Sequence, residues 1–463
     1  MFKVVLCRAP YKAYVITPPL GIGYLSAYLR ARNINSRIID PMQGEGLSLQ
    51  ETAEKIRSVT PQLVGIYAST DMIPATKELI GALKKVAPGC LICIGGPHAT
   101  VLPEEALKEL AVDFAIMGEG EETLFELVSM LKAGRGDFEN VKGLAFRKED
   151  GRVIMAPRRR PIEEIDEIPM PSWDEIDPHL YMDAPHGIYT KHRPFAPIIT
   201  SRGCPYQCTF CASGVIWGNK MRFRSAEKVV DEIESLVTRF EIRELHIIDD
   251  NFTISKPHAE GICDEMIRRG LNIPWQAPSG VRIDSLDEDL IKKLKASGCY
   301  KLAIGIESGN QQILDRARKS LDLRRVEGQI NMIKRHKILL HGFFILGLPG
   351  ETRETVECTL KYAKKLKLDT AQFTLFVPLP GSAIFDEWTK EKGVAQYRWD
   401  EFTMYKSVYS TEELSASDLR RLQKSVLIRY YSVPRNLINA VKYLRFKQTK
   451  IVYRLLKNYL FSK

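Results

Sequence analysis

Twice along this chain, short runs rich in β-branched residues alternate with stretches whose apolar residues recur at helical spacing. No other feature constrains the fold as much. Over residues 1–145 the runs FKVVLC, SRIID, LVGIYAST, CLICIGG and DFAIMG read as strands. Between them, GIGYLSAYLRARN stops at Asn33, SLQETAEKIRSV opens at Ser48, ATKELIGALKKVAPG ends in Pro88-Gly89, and TLFELVSMLKAG closes the series. Strand, helix and strand at this rhythm predict a doubly wound parallel sheet with helices on both faces. Such sheets bind ligands beyond the carboxyl ends of their strands. Small residues stand at three of those ends: Ser69-Thr70, Gly95-Gly96, and Gly118 with Gly120.

The period lapses over residues 146–190, where RKEDGRV reads as a hairpin turn and a proline-rich, charged stretch follows. This segment is read as a linker. A second α/β series fills residues 191–412, with strands APIITS, ELHIID, IPWQAP, KLAIGIE, HGFFILG and AQFTLFV. Six strands alternating with helices predict a partial (β/α)6 barrel, with functional groups in the loops after the strands. Residues 413–463 read as a basic helical tail broken at Pro434.

Composition narrows the class. With 463 residues, 44% apolar and 27% charged, the chain is globular and sized for two or three domains. Its longest apolar stretch, near Leu339–Leu348, falls well short of the roughly 18–20 residues a spanning helix needs. The opening MFKVVLCRAP has no signal-peptide layout. The net charge of +10 is local: residues 420–463 carry twelve Lys or Arg and no Asp or Glu, and ten minus twelve leaves the body at −2. A general nucleic-acid-binding surface is therefore disfavoured. Nine cysteines, three of them within eight residues, suit a reduced cytoplasmic protein with a metal site rather than a disulfide framework.

Those three are Cys204, Cys208 and Cys211 in TSRGCPYQCTFCAS. C-x3-C-x2-C in the loop after a first barrel strand lacks the second pair a structural zinc site needs. An iron–sulfur cluster held by three thiolates keeps one iron open to a substrate or cofactor. The competing reading is three reduced structural thiols.

This spacing, the aromatic Phe210 before the third cysteine, and the segments that follow resemble the radical S-adenosylmethionine (SAM) superfamily over residues 195 to 410. The resemblance implies a [4Fe-4S] cluster on the triad, with SAM chelated to the open iron and cleaved to a 5′-deoxyadenosyl radical. It implies that IIDDNFT brings Asp249, Asp250 and Asn251 to the SAM amino group. Glu307 of IGIESG would be a SAM-contacting acid, and Lys319 a cation for the SAM carboxylate. Gly347 of GFFILGLPGET would lie in a turn near the adenine. An external electron donor of flavodoxin or ferredoxin type is implied as well.

The segments PPLGIGYLSAYLR, YAST, IGGPHAT and MGEGEET resemble, in order, the cobalamin-binding domains fused to such barrels. The resemblance assigns the cofactor's buried tail to Ser69, Thr70, Gly95 and Gly96, with Gly118 and Glu119 as further contacts. The motif that supplies a lower axial histidine is absent, because CRAPYKAYVITPPLG holds no histidine. His98, after the glycine pair, is read as a hydrogen-bonding contact to the corrinoid or an ordinary loop histidine, not a cobalt ligand. Methyl transfer to an unactivated carbon or a phosphinate of a small substrate is the implied reaction. Oxidative cyclisation or rearrangement without methyl transfer is the alternative.

Cys7, Cys90, Cys93, Cys263, Cys299 and Cys358 are read as buried small hydrophobes. The tail interleaves Tyr430, Tyr431, Tyr443, Phe446, Tyr453 and Tyr459 with its cations. It has three readings: a helix docked on the barrel, an interfacial helix that brings the protein to the inner face of a membrane and a hydrophobic substrate, and, third, RNA binding, which no RNA-binding fold signature accompanies.

Overall fold

The computed structural model describes residues 2–11, 16–148, 150–182, 190–390, 393, 397–404, 406 and 408–442. Two compact units divide the chain, and neither is continuous in sequence. The first comprises Met1–Met182, Ala212–Arg222 and Leu379–Asp400, and the second Asp183–Cys211, Phe223–Pro378 and Glu401–Lys463.

The first unit is built on a seven-stranded sheet. Its strands are β1 (Lys3–Arg8), β2 (Asn35–Ile39), β3 (Leu63–Tyr67), β4 (Leu91–Gly95), β5 (Phe114–Ile116), β6 (Leu144–Arg147) and β7 (Val153–Met155), in the order β2-β1-β3-β4-β5-β6-β7. The first five are parallel, and β6 and β7 add an antiparallel hairpin that carries the sheet to Met155. Helices α1 (Leu20–Arg30), α2 (Leu49–Val59), α3 (Ile73–Val86), α4 (Pro97–Val101), α5 (Pro103–Glu109) and α6 (Glu121–Lys132) connect them. Local chemistry sets their ends. Ser48 and Glu51 form a reciprocal capping box at α2. Asn33, where the α1 pattern stops, takes a left-handed φ of 59°.

In the second unit β8 (Phe195–Ile198) leads to the cysteine loop. Two-residue strands β9 (Ser201–Arg202) and β10 (Arg222–Phe223) lie outside the main sheets. After α7 (Ser213–Trp217), which belongs to the first unit, and α8 (Ala226–Arg239) come β11 (Glu244–Ile247), β12 (Trp275–Val281), β13 (Cys299–Glu307), β14 (Leu339–Leu346) and β15 (Thr370–Leu375). They form an all-parallel sheet, β15-β14-β13-β12-β11-β8. The interleaved helices are α9 (Lys256–Arg268), α10 (Glu288–Ala296), α11 (Gln311–Arg316), α12 (Leu323–Arg335) and α13 (Arg353–Lys365), and α14 (Ala383–Thr389), which follows β15, belongs to the first unit. The predicted six-stranded β/α architecture is present strand for strand.

The tail begins as a docked element. Helix α15 (Ala416–Tyr431) buries Leu419, Gln423, Val426 and Tyr430. The Tyr431 hydroxyl bonds both the amide and the carbonyl of Ala371, and Gln423 donates to the Phe373 carbonyl, so α15 covers the β15 edge. Pro434 opens α16 (Pro434–Lys442), which leaves Leu437, Ile438 and Val441 exposed. Tyr443, Phe446, Tyr453 and Tyr459 lie outside the described residues. Among the cysteines the expectation fails at Cys358, which is exposed, and in part at Cys90, which stands just before β4 and is only half-buried. On α13 the buried residues are Val356, Thr359, Leu360 and Ala363, and position 358 turns away from them.

Candidate functional site

The cysteine loop leaves β8 through Thr200 and Ser201. Their hydroxyls donate to Asp249 Oδ2 at 2.6 Å each, and the Thr200 amide donates to Asp249 Oδ1 at 2.7 Å. Asp249 follows β11, so its carboxylate pins the start of the loop and is committed there. Burial pushes this carboxyl up to about 6, against the hydrogen bonds that favour its charge. Cys204 and Cys208 are half-buried and Cys211 is exposed. The loop closes on itself through Cys211 N to Cys208 O, and its Thr209 amide donates to Ala317 O. Among the described residues no three His, Cys, Asp or Glu side chains converge on a single ion. Three thiolates that each serve a different iron of a cluster need not converge.

Across this loop stands an acid–cation pair. Glu307, the last residue of β13, accepts from Lys319 Nζ at 2.7 Å, with both side chains about nine-tenths buried. Burial opposes the lysine charge, but the carboxylate beside it holds the Lys319 pKa above its usual value. The backbone bends to make the pair. The β13 register shifts between Gly305 and Glu307, and Glu307 adopts φ +66°. A left-handed non-glycine residue costs of order 1–3 kcal/mol and marks functional sites. A Cβ at Gly305 would run into Glu307 Oε1 and meet Lys319 Nζ at 2.9 Å.

Asn251 completes this face. It is buried, and neither polar atom of its amide has a partner among the described residues. A buried orphan amide at a strand end suits a bound polar ligand. Asp250 beside it is exposed. Gly347 follows β14 with φ 94°, and its amide donates to Glu351 Oε2. Glu351 Oε1 is buried with no partner among the described residues, and burial raises this carboxyl to about 7.

That shift has a testable sign. The folded pKa lies above the unfolded one, so the stabilisation is full below about 4.5 and is lost as pH rises through 7. The shift corresponds to about 3 kcal/mol. Wild-type Tm should fall between pH 5 and 8, and Glu351→Gln should remove most of that fall. Equal slopes in the two proteins would refute it.

In the first unit Ser69 and Thr70 follow β3, and Gly95-Gly96 follow β4. Gly96 has φ 103°, and a Cβ there would meet Ala68 O at 2.8 Å and the Tyr67 ring at 2.9 Å, so only glycine fits. His98 is fully buried on α4. Its Nε2 lies 2.7 Å from Glu105 Oε2 and its Nδ1 3.4 Å from Thr70 Oγ1. Trp399 Nε1 donates to the other Glu105 oxygen at 2.9 Å. Gly118 has φ 79°, and its amide donates to Thr100 Oγ1. Glu119 is committed elsewhere: both its oxygens accept from Arg222 Nη1, at 2.7 and 2.8 Å, and one also accepts from the Ile162 amide. Where an axial-histidine motif would follow β1, Arg8 makes a buried bidentate pair with Asp40, which also accepts from the Tyr181 hydroxyl.

The structure thus assembles Thr70 with His98, Glu307 with Lys319, and the cysteine loop beside that pair. Sequence reasoning missed Glu105, Trp399, Arg222 and Arg282. Each acts through a partner distant in sequence, and the one local hint was Arg282, a lone cation just past the end of β12.

A doubly wound sheet with a glycine cradle, joined to a parallel β/α barrel with a three-cysteine loop at its first strand end, defines a class: radical SAM enzymes that carry a cobalamin domain. The comparisons agree. Residues 11–128 match the B12 binding domain family and residues 198–363 the radical SAM superfamily. The chain is 33% identical over 425 residues to an uncharacterized methyltransferase of Pyrococcus horikoshii, covering 92% of this chain and 90% of that one. It is 32% identical over 373 residues to the anaerobic magnesium-protoporphyrin IX monomethyl ester cyclase of Rubrivivax gelatinosus, covering 80% of this chain and 66% of the cyclase. The fold matches that of the cobalamin-dependent SAM radical enzyme OxsB, solved with aqua-cobalamin and SAM, at a TM-score of 0.74 and 17% identity over 99% of this chain and 71% of that one. The chain belongs to the cobalamin-dependent radical SAM enzymes, a family that includes methyltransferases and the oxidative cyclase.

Proposed function

We propose that this enzyme transfers a methyl group from SAM to an unactivated carbon or a phosphinate of a small substrate. The observation that carries the reading is the cysteine loop held beside the Glu307–Lys319 pair in a chain that also has the Gly96 cradle. Cys204, Cys208 and Cys211 would hold a [4Fe-4S] cluster. Glu307, Lys319 and Asn251 would orient SAM, and Gly347, whose left-handed φ forms the turn after β14, would lie near its adenine. Ser69, Thr70, Gly95 and Gly96 would take the cobalamin tail, with His98 holding the Thr70 hydroxyl in place. When bound, the cluster supplies the electron that cleaves SAM, and cobalamin serves as the methyl carrier. The chain's own work is to orient and shield. Lys319 and Glu307 offer opposite charges to the two ends of an amino acid group, and the buried Asn251 amide offers both a donor and an acceptor. The electron would come from a flavodoxin- or ferredoxin-type donor.

The similarity to the cyclase supports a second reading, cyclisation without methyl transfer. Product analysis separates the two. Methyl transfer should yield S-adenosylhomocysteine together with 5′-deoxyadenosine, and 5′-deoxyadenosine alone would favour cyclisation.

For the substrate we favour a lipid-like molecule reached at a membrane surface. Ile428, Leu437, Ile438 and Val441 are 51–62% exposed, in a segment that holds twelve Lys or Arg and no Asp or Glu of its own, of which Arg429 pairs with Glu357 of α13. Among the described residues no helix is long and apolar enough to cross a membrane, so the contact would be peripheral. The full chain should bind anionic phosphatidylglycerol vesicles at low salt and less tightly at physiological salt. Since α15 covers the β15 edge, the informative variants are deletion of residues 443–463 and Ile438→Glu, both of which should lose binding. Failure of the full chain to bind at low salt would end the lipid reading.

A further inference from the structure

Arg282 lies just past β12 and is only 7% exposed. Its guanidinium makes four hydrogen bonds. Nε and Nη2 donate to the two oxygens of Asp284 at 2.9 and 2.6 Å. Nη1 donates to the carbonyl of Lys319, and Nη2 to that of Ser320, both at 2.6 Å. The same guanidinium lies 3.9 Å from the ring centroid of Tyr206, which stands between Cys204 and Cys208. The segment it grips is strained, with left-handed φ at Arg318 (50°) and Ser320 (53°) on either side of Lys319. Ala317, just upstream, accepts the Thr209 amide of the cysteine loop.

One planar cation therefore touches both halves of the site. It stacks on the cysteine loop through Tyr206, and through two main-chain carbonyls it holds the turn that aims Lys319 at Glu307. Solvent-exposed arginine pairs contribute little, but a buried guanidinium with both a carboxylate and two carbonyls on its fork is geometrically committed. Lysine cannot reproduce this, because it offers a point charge and no plane to stack.

We infer that Arg282 is a positioning residue that sets the cysteine loop and the Lys319 ammonium in register, so that cluster and SAM are held in one geometry. This rests on the proposed reading that the triad binds a cluster and the Glu307–Lys319 pair binds SAM. The contacts Arg282 makes are with Asp284, the 319–320 peptides and Tyr206. It acts through Tyr206 on one side and through the 319–320 peptides on the other.

The test uses the full chain, reconstituted anaerobically with iron and sulfide and reduced with dithionite. Iron content and the EPR spectrum of the reduced cluster are read while SAM is titrated in. Wild type is compared with Arg282→Lys, Arg282→Met and Tyr206→Leu. Arg282→Lys and Tyr206→Leu should bind near-normal iron, yet need roughly tenfold more SAM for half of the spectral change, the size expected for losing charge-assisted hydrogen bonds in the first and the cation–π stack in the second. Arg282→Met should show the larger loss. If it fails to fold, the other two variants decide. A variant with wild-type iron and a wild-type SAM titration, even one with lowered Tm, overturns the inference and makes Arg282 a fold-stabilising residue only. A wild-type protein that takes up no iron overturns the cluster reading itself, and the inference with it.

Discussion

Replacing any one of Cys204, Cys208 or Cys211 with alanine should reduce both cluster absorbance and 5′-deoxyadenosine formation to background. Each thiol would serve its own iron, and among the described residues no other group of His, Cys, Asp or Glu converges as an alternative ligand set. The loop is held from outside the thiols, by Asp249 on Thr200 and Ser201 and by Ala317 on Thr209, so each alanine variant should still fold. Cys358→Ala, on the exposed face of α13, is the matching control and should change nothing. The measurement is iron and sulfide content with product quantification after anaerobic reconstitution. Full iron content and SAM cleavage in any one of the three variants would remove that cysteine from the ligand set.

The second large effect concerns stability. The side chains of Glu119 and Arg222 are each only 4% exposed, and their pairing gathers the 212–222 segment and the Ile162 amide onto the first unit. Arg222 also donates to the carbonyls of Ile162 and Trp217. Removing one partner of a buried pair leaves the other charge uncompensated and costs about 3–5 kcal/mol. Arg222→Met and Glu119→Gln should each lower Tm by on the order of 10 °C for a unit of this size. The double variant should recover part of the loss, because no buried charge is then left alone. Single variants within about 1 kcal/mol of wild type in urea unfolding would show that the pair is not needed to hold the segment.

Much of the fold was legible in the sequence because its determinants are local. Both strand series, the Ser48 cap, the turn at Asn33 and the hairpin at RKEDGRV depend on periodicity and turn chemistry within a few residues. The cysteine loop was legible for the same reason, its spacing being short and its flanking glycine and proline adjacent. The pairing of Glu307 with Lys319, twelve residues apart, was within reach of a resemblance to known proteins but not of periodicity.

The commitments of individual side chains were not legible. Asp249 and Glu119 both stand at strand ends, where an acid reads as a ligand contact, yet one is spent on Thr200 and Ser201 and the other on Arg222, 103 residues away. Trp399 reaches Glu105 across 294 residues, and Arg282 finds Tyr206 and Lys319 from a different loop. The two α/β rhythms, the cysteine loop and the glycine turns can be read from the chain alone, since backbone conformation follows from neighbours in the chain. Which buried charge pairs with which emerges on folding, as does the joining of two segments from the barrel half, 212–222 and 379–400, to the first unit. Those choices follow from desolvation: a buried carboxylate or guanidinium must take whatever opposite charge or carbonyl the packed chain brings within reach, and closure of the fold alone determines which that is.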